Sequence, residues 1–250
     1  MKRIIIALTL LYGCSICLSA QQKVKVAAAA NLRFVLEEIK KQYESANRQT
    51  DIEITFGSSG TLTQQIVNGA PFDLFMAADM EFPQKVKEQG FAAGDVKTYI
   101  YGKVALWSST IDVKKGLKTV TLPEVKKIAI ADPKKAPYGE NAVAVLKKQK
   151  LYDRISSKIV WGENISQAAQ YAFSGNAEIG FIALSLALAP DMKGKGIYYV
   201  LPPKICPPIA QGCVLLKHGS ANGEVQKFMN YVMSKACNNI WRNFGYGLVK

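Results

Sequence analysis

The stretch Lys23-Val24-Lys25-Val26-Ala27-Ala28-Ala29-Ala30-Asn31-Leu32-Arg33-Phe34-Val35-Leu36-Glu37-Glu38-Ile39 decides the fold. Its first six residues, Lys23 to Ala28, read as a strand, and Leu32, Val35, Leu36, Ile39 and Tyr43 then recur at helical spacing. The same order follows downstream. Ile52 to Phe56 is a strand, Ser59 to Asn68 a helix closed by Gly69, Leu74 to Ala77 a buried strand after the Ala70-Pro71 turn, and Met80 to Gln89 a helix ending at Gly90. Short β-rich runs alternating with amphipathic stretches are the signature of an α/β fold with mostly parallel strands.

A second set of strands and helices begins near Lys103 to Trp107. It continues with a strand at Lys127 to Ala131, a helix at Glu140 to Lys150, a short strand at Ile159-Val160, a helix at Ile165 to Ser174 and a strand at Ile179 to Ile182. Tyr198 to Leu201 leads out of it. The last section carries a strand at Ala210 to Leu216 and helices near Gly223 to Ser234 and Asn238 to Asn243. There is no internal repeat and no low-complexity linker. The expectation is two lobes joined by strands that cross between them, one lobe formed by 21–102 plus 207–250 and the other by 103–206.

The amino terminus reads as an export signal over residues 1–20: Lys2 and Arg3, an apolar run from Ile4 to Leu11, and small residues ending at Ala20. A lipid-anchored variant through Cys14, in Leu11-Tyr12-Gly13-Cys14, is disfavoured by the bulky Tyr12. No later stretch is long and apolar enough to span a bilayer. The 250 residues carry a formal charge of +13, or +11 without Lys2 and Arg3. The lysines lie in scattered pairs without interleaved aromatics, which argues for solvated surface and against nucleic acid. Cys206, Cys213 and Cys237 follow the leader, and in an oxidising compartment Cys206 with Cys213 is the preferred disulfide. One histidine, His218, and no Cys-x-x-Cys pair leave no metal site.

The chemistry is expected at four junctions between strands and helices: Ala30-Asn31, Ser58-Ser59, Pro137-Tyr138-Gly139 and Asn164-Ile165. None carries a charge. The first backbone N–H groups of a helix lack internal partners, and the helix dipole adds positive character there. Two junctions fall in each lobe, so a solute caught between them would be held from both sides. Donors without a carboxylate favour a fully deprotonated oxyanion, a class that includes sulfate, molybdate and tungstate. A Ser or Asn before a helix is also, taken singly, an ordinary N-cap.

These residues resemble the periplasmic molybdate-binding proteins of ABC importers across nearly all of the chain after the leader. The likeness rests on Val26-Ala27-Ala28-Ala29-Ala30-Asn31-Leu32, on Phe56-Gly57-Ser58-Ser59-Gly60-Thr61-Leu62, and on Gly69-Ala70-Pro71-Phe72-Asp73-Leu74-Phe75 with Ala78-Asp79. Farther on it includes Ala131-Asp132-Pro133, Ala136-Pro137-Tyr138-Gly139, Glu163-Asn164-Ile165, Ile179-Gly180-Phe181 and Phe244-Gly245-Tyr246. The resemblance implies a two-lobed type II periplasmic-binding fold, each lobe a mixed, mostly parallel sheet flanked by helices. It also implies capture of molybdate, with tungstate alongside, and delivery to a molybdate ABC permease and its ATPase. The implied ligand set is Asn31, Ser59, Tyr138 and Ile165, with Ser58 as a helper, acting as a monomer without cofactor or catalysis. Asn31 and Tyr138 stand where many members carry Ser and a small residue, and Ala183 where many carry an anion-contacting Tyr. The Tyr138 hydroxyl is expected to replace the one missing at Ala183.

A secreted hydrolase built on Ser58 or Ser59 lacks its partners. There is no Gly-x-Ser-x-Gly elbow, and His218 falls in a polar turn, Lys217-His218-Gly219-Ser220. Asp73 and Asp79 flank a buried strand and suit capping or hydrogen bonding better than acid–base work.

Overall fold

The computed structural model describes residues 22–249, so the expected leader with its Ala20 cleavage point, and Cys14, lie outside the described residues. Chain order is β1 (Gln22–Ala29), α1 (Arg33–Ala46), β2 (Thr50–Gly57), α2 (Ser59–Val67), β3 (Leu74–Met76), α3 (Glu81–Glu88), β4 (Lys97–Gly102), β5 (Val104–Ser108), β6 (Ile128–Ala131), α4 (Pro137–Lys148) and α5 (Tyr152–Ile155). Then follow β7 (Ile159–Gly162), α6 (Ile165–Phe173), β8 (Ile179–Ala183), α7 (Leu184–Ala187), β9 (Ile197–Val200), β10 (Ile209–Leu215), α8 (Gly223–Val232) and α9 (Asn238–Asn243).

The strands form two five-stranded sheets, in the orders β2-β1-β3-β10-β4 and β7-β6-β8-β5-β9. In each, one strand runs against the other four: β10 in the first and β5 in the second. Each reversed strand is the first that the chain lays down on entering that sheet from the other. The outward crossing needs only Lys103, between β4 and β5, and the return runs through residues 201–208. The lobes are thus joined by one crossing that passes from strand to strand through Lys103 and one that runs through the non-strand segment 201–208.

β1 shows why the opening run reads as a parallel strand. It is buried on both faces, Val24, Val26 and Ala28 against α1 and its neighbours, Ala27 among Leu62, Ile66, Phe75 and Val214. On α1, Val35, Leu36, Ile39 and Tyr43 are buried, the stripe that the spacing predicted. β1 and β2 pair in parallel from Gln22↔Thr50 to Ala29↔Gly57, and β6 and β7 from Ile128↔Ile159 to Ala131↔Gly162. This register places the chain exits of each pair side by side.

Three expectations need correction. Helix α4 starts at Pro137, not Glu140, because proline fits the first helical position, where its missing N–H has no partner to lose. Strand β4, which the sequence analysis did not assign, is the edge of the first sheet, paired with β10 from Ile209↔Gly102 onward. The preferred disulfide does not form: Cys206, Cys213 and Cys237 are all free and buried. Cys206 closes a turn on Pro202, whereas Cys213 lies well inside β10.

Burial pushes the thiols up, Cys206 and Cys237 to about 11 and Cys213 to about 12. All three should therefore be inert in the native protein. Unreduced protein opened in denaturant should take up three equivalents of iodoacetamide per chain after Ala20, read by mass spectrometry. Uptake of one would show that the disulfide exists.

Candidate functional site

The four junctions converge. Asn31, Ser58, Ser59, Tyr138 and Ile165 all line one cavity between the lobes, enclosing about 190 Å³ of empty space, part of it open to solvent. Its remaining walls are Ala29, Ala30, Gly57, Ala78, Ala136 and Pro137, so among the described residues no charged side chain lines it. The paired lysines are exposed apart from half-buried Lys40. The cavity lies at the carboxyl ends of β1, β2 and β6, where open α/β sheets bind ligands.

Local capping decides which donors are left over. Asn164 is the N-cap of α6 and accepts from the N–H groups of Ser166 and Gln167, both at 3.0 Å. Ile165 N–H, one residue earlier, has no intrahelical carbonyl within reach. Ser58 caps α2, accepting from Thr61 N–H at 3.2 Å and donating to Thr61 Oγ1 at 2.7 Å. Its hydroxyl is thereby engaged inside the helix start. Ser59 differs: its Oγ accepts from Ala78 N–H at 2.9 Å, which leaves its own proton to be given away. Tyr138 occupies the first turn of α4, and its N–H is likewise without an intrahelical partner. Gly139 lets that turn lie on β6, since a Cβ there would overlap the Ala131 carbonyl.

Asn31 is 1 % exposed and held on several sides. Its Nδ2 contacts Gln211 Oε1 at 3.1 Å and Tyr246 Oη at 2.9 Å, and its carbonyl accepts from Ser185 Oγ and Tyr246 Oη, each at 2.9 Å. Its Oδ1 is buried without a partner. The Tyr138 hydroxyl is not available where the sequence analysis expected it. It accepts from Gln211 Nε2 at 3.0 Å and packs on Gly102, at the crossing between lobes. Burial holds the Tyr99, Tyr138 and Tyr246 hydroxyls well above their ordinary value, so all three keep their protons.

The lobes are closed on each other by direct bonds around the cavity. Gly60 N–H donates to Lys135 O at 2.9 Å, Ser166 Oγ to Ala30 O at 3.0 Å and Ser185 Oγ to Asn31 O at 2.9 Å. Only glycine permits the first of these, because a Cβ on Gly60 would lie 2.9 Å from Lys135 Cα. Ser166, Ser185, Gln211 and Tyr246 were not singled out as site residues in the sequence. A signal existed for two: Gln211 interrupts an apolar strand, and Tyr246 ends the Phe244-Gly245-Tyr246 motif.

Asp73 and Asp79 take the structural roles expected of them. Asp73 accepts from Lys25 N–H at 2.7 Å and meets His218 Nδ1 at 2.6 Å, and Asp79 accepts from Phe82 N–H at 3.0 Å at the start of α3.

The fold and the cavity together define a two-lobed solute-binding protein. The profile of the bacterial extracellular solute-binding protein family matches residues 24–247. The molybdate-binding protein ModA of Azotobacter vinelandii is 36% identical over 250 residues, 99% of this chain and 98% of the relative. The molybdate-binding protein ModA of Rhodobacter capsulatus is 34% identical over 96% of this chain and 94% of its own. The solved periplasmic molybdate-binding protein of Azotobacter vinelandii superposes with a TM-score of 0.85 at 32% identity, covering 91% of this chain and 100% of that one. The chain belongs to the bacterial extracellular solute-binding proteins, on the branch of that family formed by the molybdate-binding proteins. Among the described residues no helix is long and apolar enough to cross a membrane.

Beside the cavity, burial pushes Asp79 up to about 6, with Glu81 and Glu140 adding to the effect and the Phe82 N–H opposing it. A carboxyl whose folded value is raised binds protons more tightly when folded. Stability is therefore lost as pH rises from the ordinary value of 3.8 through about 6. Asp79→Asn keeps the acceptor for Phe82 and removes that loss. The variant should melt a few degrees above the parent at pH 8, the gap closing below about pH 4. A gap independent of pH would show that the carboxylate charge is not its cause.

Proposed function

We propose that the protein captures molybdate, and tungstate with it, in the periplasm and delivers the anion to an ABC permease and its ATPase. The observation that carries this reading is the convergence of uncharged donors from both lobes on one cavity. Asn31 and Ser59 serve from the first lobe, taken as 21–102 plus 207–250. Tyr138 and Ile165 serve from the second, 103–206, through their backbone N–H groups. Ser58 supports the site as the cap of α2, since its hydroxyl is engaged by Thr61.

The chemistry follows from the donor set. An oxyanion taken out of water must recover hydration from the protein, and hydrogen bonds to a charged group contribute about 1.5–3 kcal/mol each. N–H groups at helix starts can only donate, and the Ser59 hydroxyl, which already accepts from Ala78 N–H, has its proton to give, so the set favours an anion that carries no proton of its own. That favours molybdate, tungstate and sulfate over hydrogen phosphate. Molybdate and tungstate share charge, shape and nearly the same size, so the site has no means of separating them strongly. The likeness to relatives named for molybdate supports molybdate as the anion ahead of sulfate. No nucleophile with a base beside it lines the cavity, so the reading is capture without turnover, by a monomer whose closed lobes present a surface to the permease.

Calorimetric titration of the chain from Gln21 onward with molybdate, tungstate, sulfate and phosphate tests this. Tight binding confined to the first two is expected. Asn31→Ala and Ser59→Ala should each weaken molybdate binding by about 10- to 100-fold, the loss of one hydrogen bond to a charged group. Equal affinity for sulfate would move the function to general oxyanion uptake, and binding of none would remove the cavity from the account.

A further inference from the structure

Gln211 lies on β10, is completely buried and does not itself line the cavity, yet it bonds to lining residues of both lobes. Its Oε1 lies 3.1 Å from Asn31 Nδ2 and 3.1 Å from Tyr99 Oη, and its Nε2 lies 3.0 Å from Tyr138 Oη. Three features of this cluster conflict when the protons are counted. Tyr99 has one proton but faces two acceptors, Gln211 Oε1 and the Ala77 carbonyl at 2.9 Å. Tyr138 has a proton and no acceptor for it among the described residues, because Gln211 presents an N–H. Asn31 Oδ1 is buried with no donor.

An amide's oxygen and nitrogen occupy nearly the same space and are told apart by their neighbours. Turning both amides over together removes all three conflicts. Gln211 Nε2 then gives one proton to Tyr99, which gives its own to Ala77, and a second to Asn31 Oδ1. Tyr138 gives its proton to Gln211 Oε1. Tyr246 Oη, 2.9 Å from the Asn31 amide, moves its proton from the Asn31 carbonyl to that Oδ1, and Ser185 alone then serves the carbonyl. The Asn31 Nδ2 then takes the buried position that Oδ1 holds, without an acceptor among the described residues, in a side chain that lines the cavity.

We infer that Gln211 is a positioning residue that sets the anion preference of the site. By donating to Asn31 it fixes that side chain with its N–H edge toward the solute, and by accepting from Tyr138 it ties the same setting to the opposite lobe. The inference rests on the reading of the cavity as an oxyanion site. Without Gln211, Asn31 is free to turn its oxygen inward and accept a proton from the ligand. The residue thus excludes hydrogen phosphate and hydrogen arsenate, which carry a proton, and not the fully deprotonated anions.

The test is competition between molybdate and hydrogen phosphate at pH 8.5, with thermal melting alongside, for the parent, Gln211→Leu, Gln211→Glu, Asn31→Ala and the Asn31→Ala/Gln211→Leu pair. Both Gln211 variants should shrink the preference for molybdate at least tenfold, whatever their melting temperatures. Gln211→Leu should add nothing to that ratio once Asn31 is alanine. Affinities for both anions that fall by one common factor, or do not change, would overturn the proposal while leaving the cavity assignment intact. A parent that binds neither anion, or an Asn31→Ala variant that holds molybdate as the parent does, would overturn the cavity assignment itself and this inference with it.

Discussion

An anion withdrawn from water into a cavity without a single charged side chain must be held by donors alone, and that constraint shapes both lobes. Supplying donors without charges requires helix starts, and helix starts can converge only if the strands before them end together. The register of β1 with β2 and of β6 with β7 provides that coincidence, placing Ala29 beside Gly57 and Ala131 beside Gly162. The antiparallel strands β5 and β10 are where the chain enters each sheet from the other, by way of Lys103 and residues 201–208, so the two pairs of junctions face each other. Small residues around the cavity, Ala29, Ala30, Gly57, Ala78 and Ala136, bring backbone rather than side chain to the solute.

Neutral donors also answer how such a protein releases what it binds. A lysine in the cavity would bring attraction that persists at every lobe position, whereas N–H groups act only at contact distance. Closure is then held by few interlobe bonds, among them Gly60 with Lys135 and Ser166 with Ala30, each lost when the lobes part. With the proposed ligand set, opening would remove half the donors at once, which would make affinity a function of lobe position. The Asp79 carboxyl, kept near the cavity at the expense of its own desolvation, accepts from the start of α3 and takes no part in the donor set.

Much of this was legible in the sequence because it is local. The strand-to-helix alternation, the stripe on α1 and the four uncharged junctions depend on residues close in the chain, and the structure brings all four junctions to one cavity. What was not legible depends on distant partners. The Tyr138 hydroxyl looked free until Gln211, 73 residues away, proved to engage it. Asn31 looked like a simple ligand until Tyr246 and Ser185 closed around its carbonyl. The start of α4 was misplaced because Glu140 opens its amphipathic pattern, although Pro137 is the residue that fits its first position. The disulfide was inferred from spacing alone, which says nothing of the extended strand that separates Cys206 from Cys213.

The most direct test of the donor cavity is an anomalous difference map at the molybdenum edge from crystals of the protein loaded with molybdate. The account predicts one peak between the lobes, its oxygens within hydrogen-bonding distance of the Asn31 amide, the Ser59 hydroxyl and the N–H groups of Tyr138 and Ile165. A peak against lysine side chains or the cysteine thiols, with that cavity empty, would contradict it.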